Sequence, residues 1–147
     1  MVDGSLEKEK FKFTLRQDIE IIIVEDDSES YLRADNYLRS ADIKNIIHWF
    51  ENGQAVLCFL EGDGCPSKSN NKYIILLNIQ LPGIDGIEVL RRMKNDDKLR
   101  HVNVIMLATS DDQQRVRECY GLGCRSHVIK PHGDSLLKAI ERISERM

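Results

Sequence analysis

A chain of 147 residues, 41% hydrophobic and 31% charged, has the composition of one folded domain and is too apolar to stay disordered. Its formal net charge of −3 argues against a nucleic-acid or membrane-surface binder, since either needs a concentrated basic face. No apolar run reaches the roughly 18 residues of a membrane span. Met1 to Lys12 lacks the apolar stretch of a secretory signal, so a cytoplasmic location is expected.

Residues 1–17 are mixed and polar, without a sustained period, and read as an arm before a domain over 18–147. Ile19 to Val24 is a β-branched run ending in acids, the pattern of a strand buried on both faces. From Asp27 to Ala41, Tyr31, Ala34, Leu38 and Ala41 recur at helical spacing. Asn45 to Phe50 is a second strand, and Gly53 to Leu60 a helix with Ala55, Val56, Phe59 and Leu60 turned inward. Residues 61–72 are rich in turn formers. The third strand, Tyr73 to Leu77, is the most continuously apolar. A turn over 81–86 then leads into a helix carrying Ile87, Leu90 and Met93 on one face. Val102 to Leu107 is the fourth strand, and Asp111 to Tyr120 a helix closed by Gly121 and Gly123. Ser126 to Ile129 is the fifth strand, and the last helix carries Leu136, Ile140, Ile143 and Met147 inward. Five strand–helix units imply a doubly wound (βα)5 fold, a parallel five-stranded sheet with helices on both faces.

Four cysteines (Cys58, Cys65, Cys119, Cys124) form no Cys-x-x-Cys pair and show no zinc-type spacing with the four histidines. Free thiols are expected, with Cys58 and Cys119 on buried helix faces.

In a doubly wound sheet the working site lies at the carboxyl ends of the strands. Those positions hold Glu25-Asp26-Asp27, Asn78, Ala108-Thr109-Ser110 and Lys130-Pro131. Adjacent acids there repel one another and lose hydration, which a hard cation such as Mg²⁺ would offset. Asp27 is better placed to cap the following helix. Glu25 and Asp26 together read as a cation site, and Lys130 could pair with the same anions or with a bound phosphoryl group.

The motifs Ile-Ile-Val-Glu-Asp-Asp (22–27), Leu-Leu-Asn-Ile-Gln-Leu-Pro-Gly-Ile-Asp-Gly (76–86), Val-Ile-Met-Leu-Ala-Thr-Ser-Asp-Asp (104–112) and Val-Ile-Lys-Pro (128–131) occur in order. In that order, from about residue 19 to the end, the chain resembles the receiver domain of two-component response regulators. The loop over 61–72 and Lys98-Leu-Arg-His-Val are similar to the single-domain regulators that partner cyanobacterial phytochromes. The resemblance implies a flavodoxin-like receiver fold that is not an enzyme. It implies Mg²⁺ held by Glu25, Asp26, the residue at 78 and the backbone carbonyl of Gln80, with Lys130 neutralising a phosphoryl group. It also implies a sensor histidine kinase, a phytochrome-type kinase or another signalling protein as partner, and a second copy of the chain is a further candidate. The partner face would include Arg115, Arg117, His127, His132 and Lys138. No chain follows Met147 for a DNA-binding output domain, so no nucleic acid is expected.

Two positions depart from the pattern. The phosphoacceptor position holds Asn78 and the Ser/Thr position holds Ala108; His127 stands where such receivers carry a switching aromatic. An amide is a poor nucleophile for phosphorus, because its nitrogen lone pair is delocalised into the carbonyl. Thr109, one residue along, should point elsewhere because side chains alternate along a strand. The expected function is a pseudo-receiver that acts through protein contacts and cannot accept a phosphoryl group. The alternative is a conventional receiver with an introduced Asp-to-Asn substitution at 78, although one such change leaves Ala108 unexplained. A flavin carrier on the same architecture is disfavoured, because Glu25-Asp26-Asp27 would repel the cofactor phosphate.

Overall fold

The structure is a computed structural model that describes residues 13–68, 72–131 and 133–147. Strands β1 (Ile19–Val24), β2 (Ile47–Phe50), β3 (Lys72–Asn78), β4 (Asn103–Ala108) and β5 (Ser126–Ile129) alternate with helices α1 (Ser28–Ser40), α2 (Gly53–Glu61), α3 (Gly86–Lys94), α4 (Gln113–Leu122) and α5 (Gly133–Ser144). All four strand pairs are parallel, in the order β2-β1-β3-β4-β5. The (βα)5 expectation therefore holds.

Side-chain alternation divides the core between the two faces of the sheet. Ile22, Val24, Ile75 and Leu77 meet α2, α3 and α4 through Val56, Leu60, Leu90 and Val116. Ile21, Ile23, Leu76 and Leu107 meet α1 and α5 through Ala34, Leu38, Leu136 and Ile140. The chain runs from β1 outward to the edge strand β2, then crosses back to β3 on the other side of β1. That reversal opens a crevice at the carboxyl ends of β1 and β3.

Four local expectations are corrected. Residues 13–17 are not a free arm: Leu15 is buried in the second core, and Phe13 packs against it. Asn45 Nδ2 donates to the Arg16 carbonyl at 2.8 Å, and Arg16 reaches the Met147 carbonyl at 2.7 Å. The rest of the expected arm, residues 1–12, lies outside the described residues. In α2 the buried set is Gly53, Val56, Leu57 and Leu60, so Leu57 turns inward while Ala55 and Phe59 are only half-buried. Cys58 is exposed rather than buried, because its neighbour Leu57 takes the inward direction and one residue is about 100° of helical rotation. Cys119 is buried as expected, and all four thiols are free. The glycine stop after α4 is Gly123 alone, at φ 100°; Gly121 lies within the last turn.

Candidate functional site

Glu25 follows β1 directly, and its backbone is held from both directions. Its N–H donates to the Phe50 carbonyl at 3.0 Å, and its carbonyl accepts the Trp49 indole N–H at 2.8 Å. Trp49 is itself stacked on Tyr31 of α1, with ring centroids 4.2 Å apart. The Glu25 side chain turns inward and is 3% exposed. Asp27 caps α1, accepting from the Ser30 N–H and hydroxyl. Asp26, the other member of the expected cation pair, is exposed; among the described residues its side chain has no hydrogen bond or ion pair with the site.

Asn78 ends β3 and is buried beside Glu25. Its Nδ2 donates to Glu25 Oε2 at 3.0 Å and to the Gln80 carbonyl at 2.9 Å. Both neighbours only accept, so the amide nitrogen, not its oxygen, must face them. A carboxylate at 78 would bring a second anion to the same place. Two full charges 3 Å apart repel by about 5 kcal/mol at an effective dielectric of about 20. Gly86 makes the local packing feasible: a Cβ there would lie 2.2 Å from the Asn78 carbonyl oxygen, so α3 can start against the strand end only with glycine.

Lys130 approaches from the far side. Its N–H donates to the Ala108 carbonyl at 2.8 Å, which extends the β4–β5 ladder by one step. Its Nζ lies 2.5 Å from Glu25 Oε1. Three strand spacings separate β1 from β5, roughly 14 Å, and only two long side chains extended toward each other close that gap. Both Glu25 oxygens are thus engaged, one by an ammonium and the other by the Asn78 amide and the Asp27 N–H.

Glu25, Asn78, Gln80 and Lys130 are therefore brought together at one strand-end crevice, and Ala108 is buried at the end of β4, where its carbonyl accepts the Lys130 N–H. As arranged, this donor set does not suit Mg²⁺. The Gln80 carbonyl and both Glu25 oxygens already hold hydrogen bonds, and Asp26 faces solvent. Among the described residues no cluster of three or more His, Cys, Asp or Glu side chains is placed to hold a metal.

Thr109, just beyond the end of β4, bonds Asp112, which also accepts from Gln80 Nε2 at 3.4 Å. Asp112 was not singled out from the sequence; the repeated acids Asp111-Asp112 before the helix were its only signal. It is 3% exposed, and its side chain folds back to accept the Thr109 N–H at 2.9 Å and hydroxyl at 3.0 Å. Burial alone would push its carboxyl upward. The Thr109 and Gln80 donors and the Arg115 guanidinium outweigh burial and hold it below the ordinary aspartate value. Arg115 also meets Asp85 at 2.5 Å, so it ties α4 to α3 and is not a free cation of the partner face. On that face His127 Nδ1 lies 2.8 Å from the Tyr120 hydroxyl, beside exposed Ile129. Arg117 and Lys138 are exposed, and His132 lies outside the described residues.

The profile of the family described as "Response regulator receiver domain" matches residues 21–141. The chain belongs to that family. It is 30% identical to the probable methanogenesis regulatory protein FilR2 of Methanothrix harundinacea, covering 85% of this chain and 81% of FilR2. It is 28% identical to response regulator Rcp1 of Synechocystis sp., covering 84% of each. Among solved structures, the bacteriophytochrome response regulator AtBRR superposes with a TM-score of 0.72 at 30% identity, covering 83% of this chain and 89% of that one. The Mn²⁺-bound form of Rcp1 superposes at 0.66 and 26% identity, covering 86% and 89%. The receiver is thus a module of two-component signalling, with phytochrome-associated regulators among its relatives. No helix among its described residues is long and apolar enough to cross a membrane.

Proposed function

We propose that this receiver signals without accepting a phosphoryl group, through contacts with a sensor kinase of the phytochrome type or another signalling protein in the cytoplasm. The observation that carries the reading is the Asn78 amide, which donates to both Glu25 and the Gln80 carbonyl. In receivers an anionic nucleophile at this place is balanced by a divalent cation. Here one NH₂ group and the Lys130 ammonium balance Glu25, and no carboxylate remains to attack phosphorus. Ala108 adds a second deficit, since it offers no hydroxyl to a phosphoryl oxygen. With neither phosphoryl transfer nor hydrolysis, the module is a binding protein and not an enzyme.

The Mn²⁺-bound Rcp1 structure makes metal binding relevant to this chain as well. Any Mg²⁺ would have to displace the Asn78 hydrogen bonds and recruit Asp26 from solvent, so binding is weak. The partner surface is the face of α4, β5 and α5, where Tyr120 and Ile129 are exposed around His127.

Incubation with acetyl phosphate and Mg²⁺, followed by intact-mass measurement, tests the proposal. An unchanged mass is expected. A stoichiometric, hydroxylamine-labile adduct would overturn it and restore the reading as a conventional receiver.

A further inference from the structure

At the end of the sheet opposite Glu25 and Lys130, the starts of β3, β4 and β5 and the end of α5 enclose a cleft of about 700 Å³. That volume is within the ordinary range for small-molecule sites. Lys72, Lys98, Arg125, Arg142 and Arg146 all line it, and no Asp or Glu does. Five cations around one cleft are unexpected in a chain whose net charge is −3. Among the described residues, none of the five side chains has an ion pair with a carboxylate, although the Lys98 N–H donates to Asp96 Oδ1 at 2.8 Å. The neighbouring Arg100 does have one, with Asp97. Arg125 is also held in place, its Nε donating to Asn103 Oδ1 at 3.1 Å. The wall behind the charges is apolar, built from Val102, Ala139 and Ile143 with buried Tyr73.

Like charges gathered with no carboxylate side chain paired to them cost free energy in the empty protein, and a bound anion recovers it. One phosphate needs one or two such groups, whereas five spread around a cleft this wide match several linked phosphates. Arginine suits them further, since its planar fork bonds two phosphate oxygens at once. We infer that this cleft binds a polyphosphate group, carried either by a nucleoside triphosphate or by inorganic polyphosphate. It does so at the end of the sheet remote from the receiver crevice, and independently of whether Asn78 blocks phosphorylation.

Titration calorimetry on the full chain tests this, with ATP, inorganic tripolyphosphate and a 20-base-pair DNA duplex as separate probes in Mg²⁺-free buffer of moderate salt. Binding of ATP or tripolyphosphate is expected. ATP tighter than tripolyphosphate assigns the apolar wall to the nucleoside, and equal binding assigns the site to the phosphate chain alone. The variant Arg125→Ala/Arg142→Ala should weaken binding by roughly tenfold or more for each arginine. Arg33→Ala, which removes an exposed charge on α1, should leave it unchanged. Circular dichroism confirms that each variant is folded. Three results would each overturn the inference: no binding of either phosphate probe, equal weakening by Arg33→Ala, or binding of DNA alone.

Discussion

Lys130 Nζ lies 2.5 Å from Glu25 Oε1, joining the carboxyl end of β1 to that of β5 across the two strands between them. Glu25 is nearly inaccessible, and Lys130 is about a quarter exposed. In the proposed reading, the pair stands in for what a cation and a phosphoryl group would otherwise supply to the same atoms. Its energetics follow from burial. Replacing Lys130 by methionine leaves a buried carboxylate with only the Asn78 amide and the Asp27 N–H as donors. Lys130→Met should therefore lower unfolding stability by about 1–3 kcal/mol, the lower part of the range for broken buried pairs because Lys130 keeps some water contact. Glu25→Gln/Lys130→Met should lose less than Lys130→Met alone. Urea unfolding of the three proteins decides the matter, and a double variant weaker than the single one would count against it.

Magnesium affinity should rise when the amide is removed. In Asn78→Asp a second carboxylate faces Glu25, and the Gln80 carbonyl is released from the hydrogen bond it now accepts. Isothermal titration should show tighter Mg²⁺ binding by Asn78→Asp than by the native sequence. Equal or weaker binding would mean that the amide does not occupy the place of the cation.

Repair of the site should proceed in two separable steps. Asn78→Asp supplies a nucleophile, but Ala108 still offers no hydroxyl to the phosphoryl oxygen. A hydrogen bond to a charged group contributes about 1.5–3 kcal/mol, so its absence should mute the response at the α4–β5 face. With beryllofluoride and Mg²⁺, amide shifts from Ser126 to Lys130 should change little in Asn78→Asp and more in Asn78→Asp/Ala108→Thr. Because His127 is tied to the Tyr120 hydroxyl, the full response should also require Tyr120 to release it. A complete response in the single variant would show that Ala108 is no deficit.

Asp112 should contribute to acid sensitivity. Its folded carboxyl titrates below the ordinary value of 3.8, so as the pH falls the unfolded chain takes up this proton first. The stabilisation is complete above the unfolded value and disappears as the pH drops through the folded one. Asp112→Asn should cost about 1–2 kcal/mol at neutral pH, because Thr109 loses a charged acceptor. It should also flatten the dependence of stability on pH below about 4. Denaturant unfolding between pH 7 and 2.5 measures both effects. An unchanged acid slope would remove Asp112 from the account.

Period and punctuation in the sequence were enough for the strand–helix alternation, the parallel sheet and the strand-end positions. Apolar runs such as 73–77 and helical repeats such as Leu136, Ile140 and Ile143 are local consequences of burial. Glu25, Asn78, Ala108 and Lys130 could be singled out for the same reason, because in a doubly wound sheet every strand end is a candidate. Which of those candidates touch was decided only by the tertiary structure. Glu25 and Asp26 are adjacent in the chain, yet one is buried against Lys130, 105 positions away, while the other faces water. The direction in which each side chain leaves the strand end depends on what lies across the crevice. The hydrogen bonds of Asn78 are likewise invisible in sequence, since an amide can donate or accept until its neighbours are known. The cationic cleft belongs to the same class. Lys72, Lys98, Arg125, Arg142 and Arg146 are scattered over 75 positions of an acidic chain, and only the alignment of three strand starts with one helix end gathers their charge.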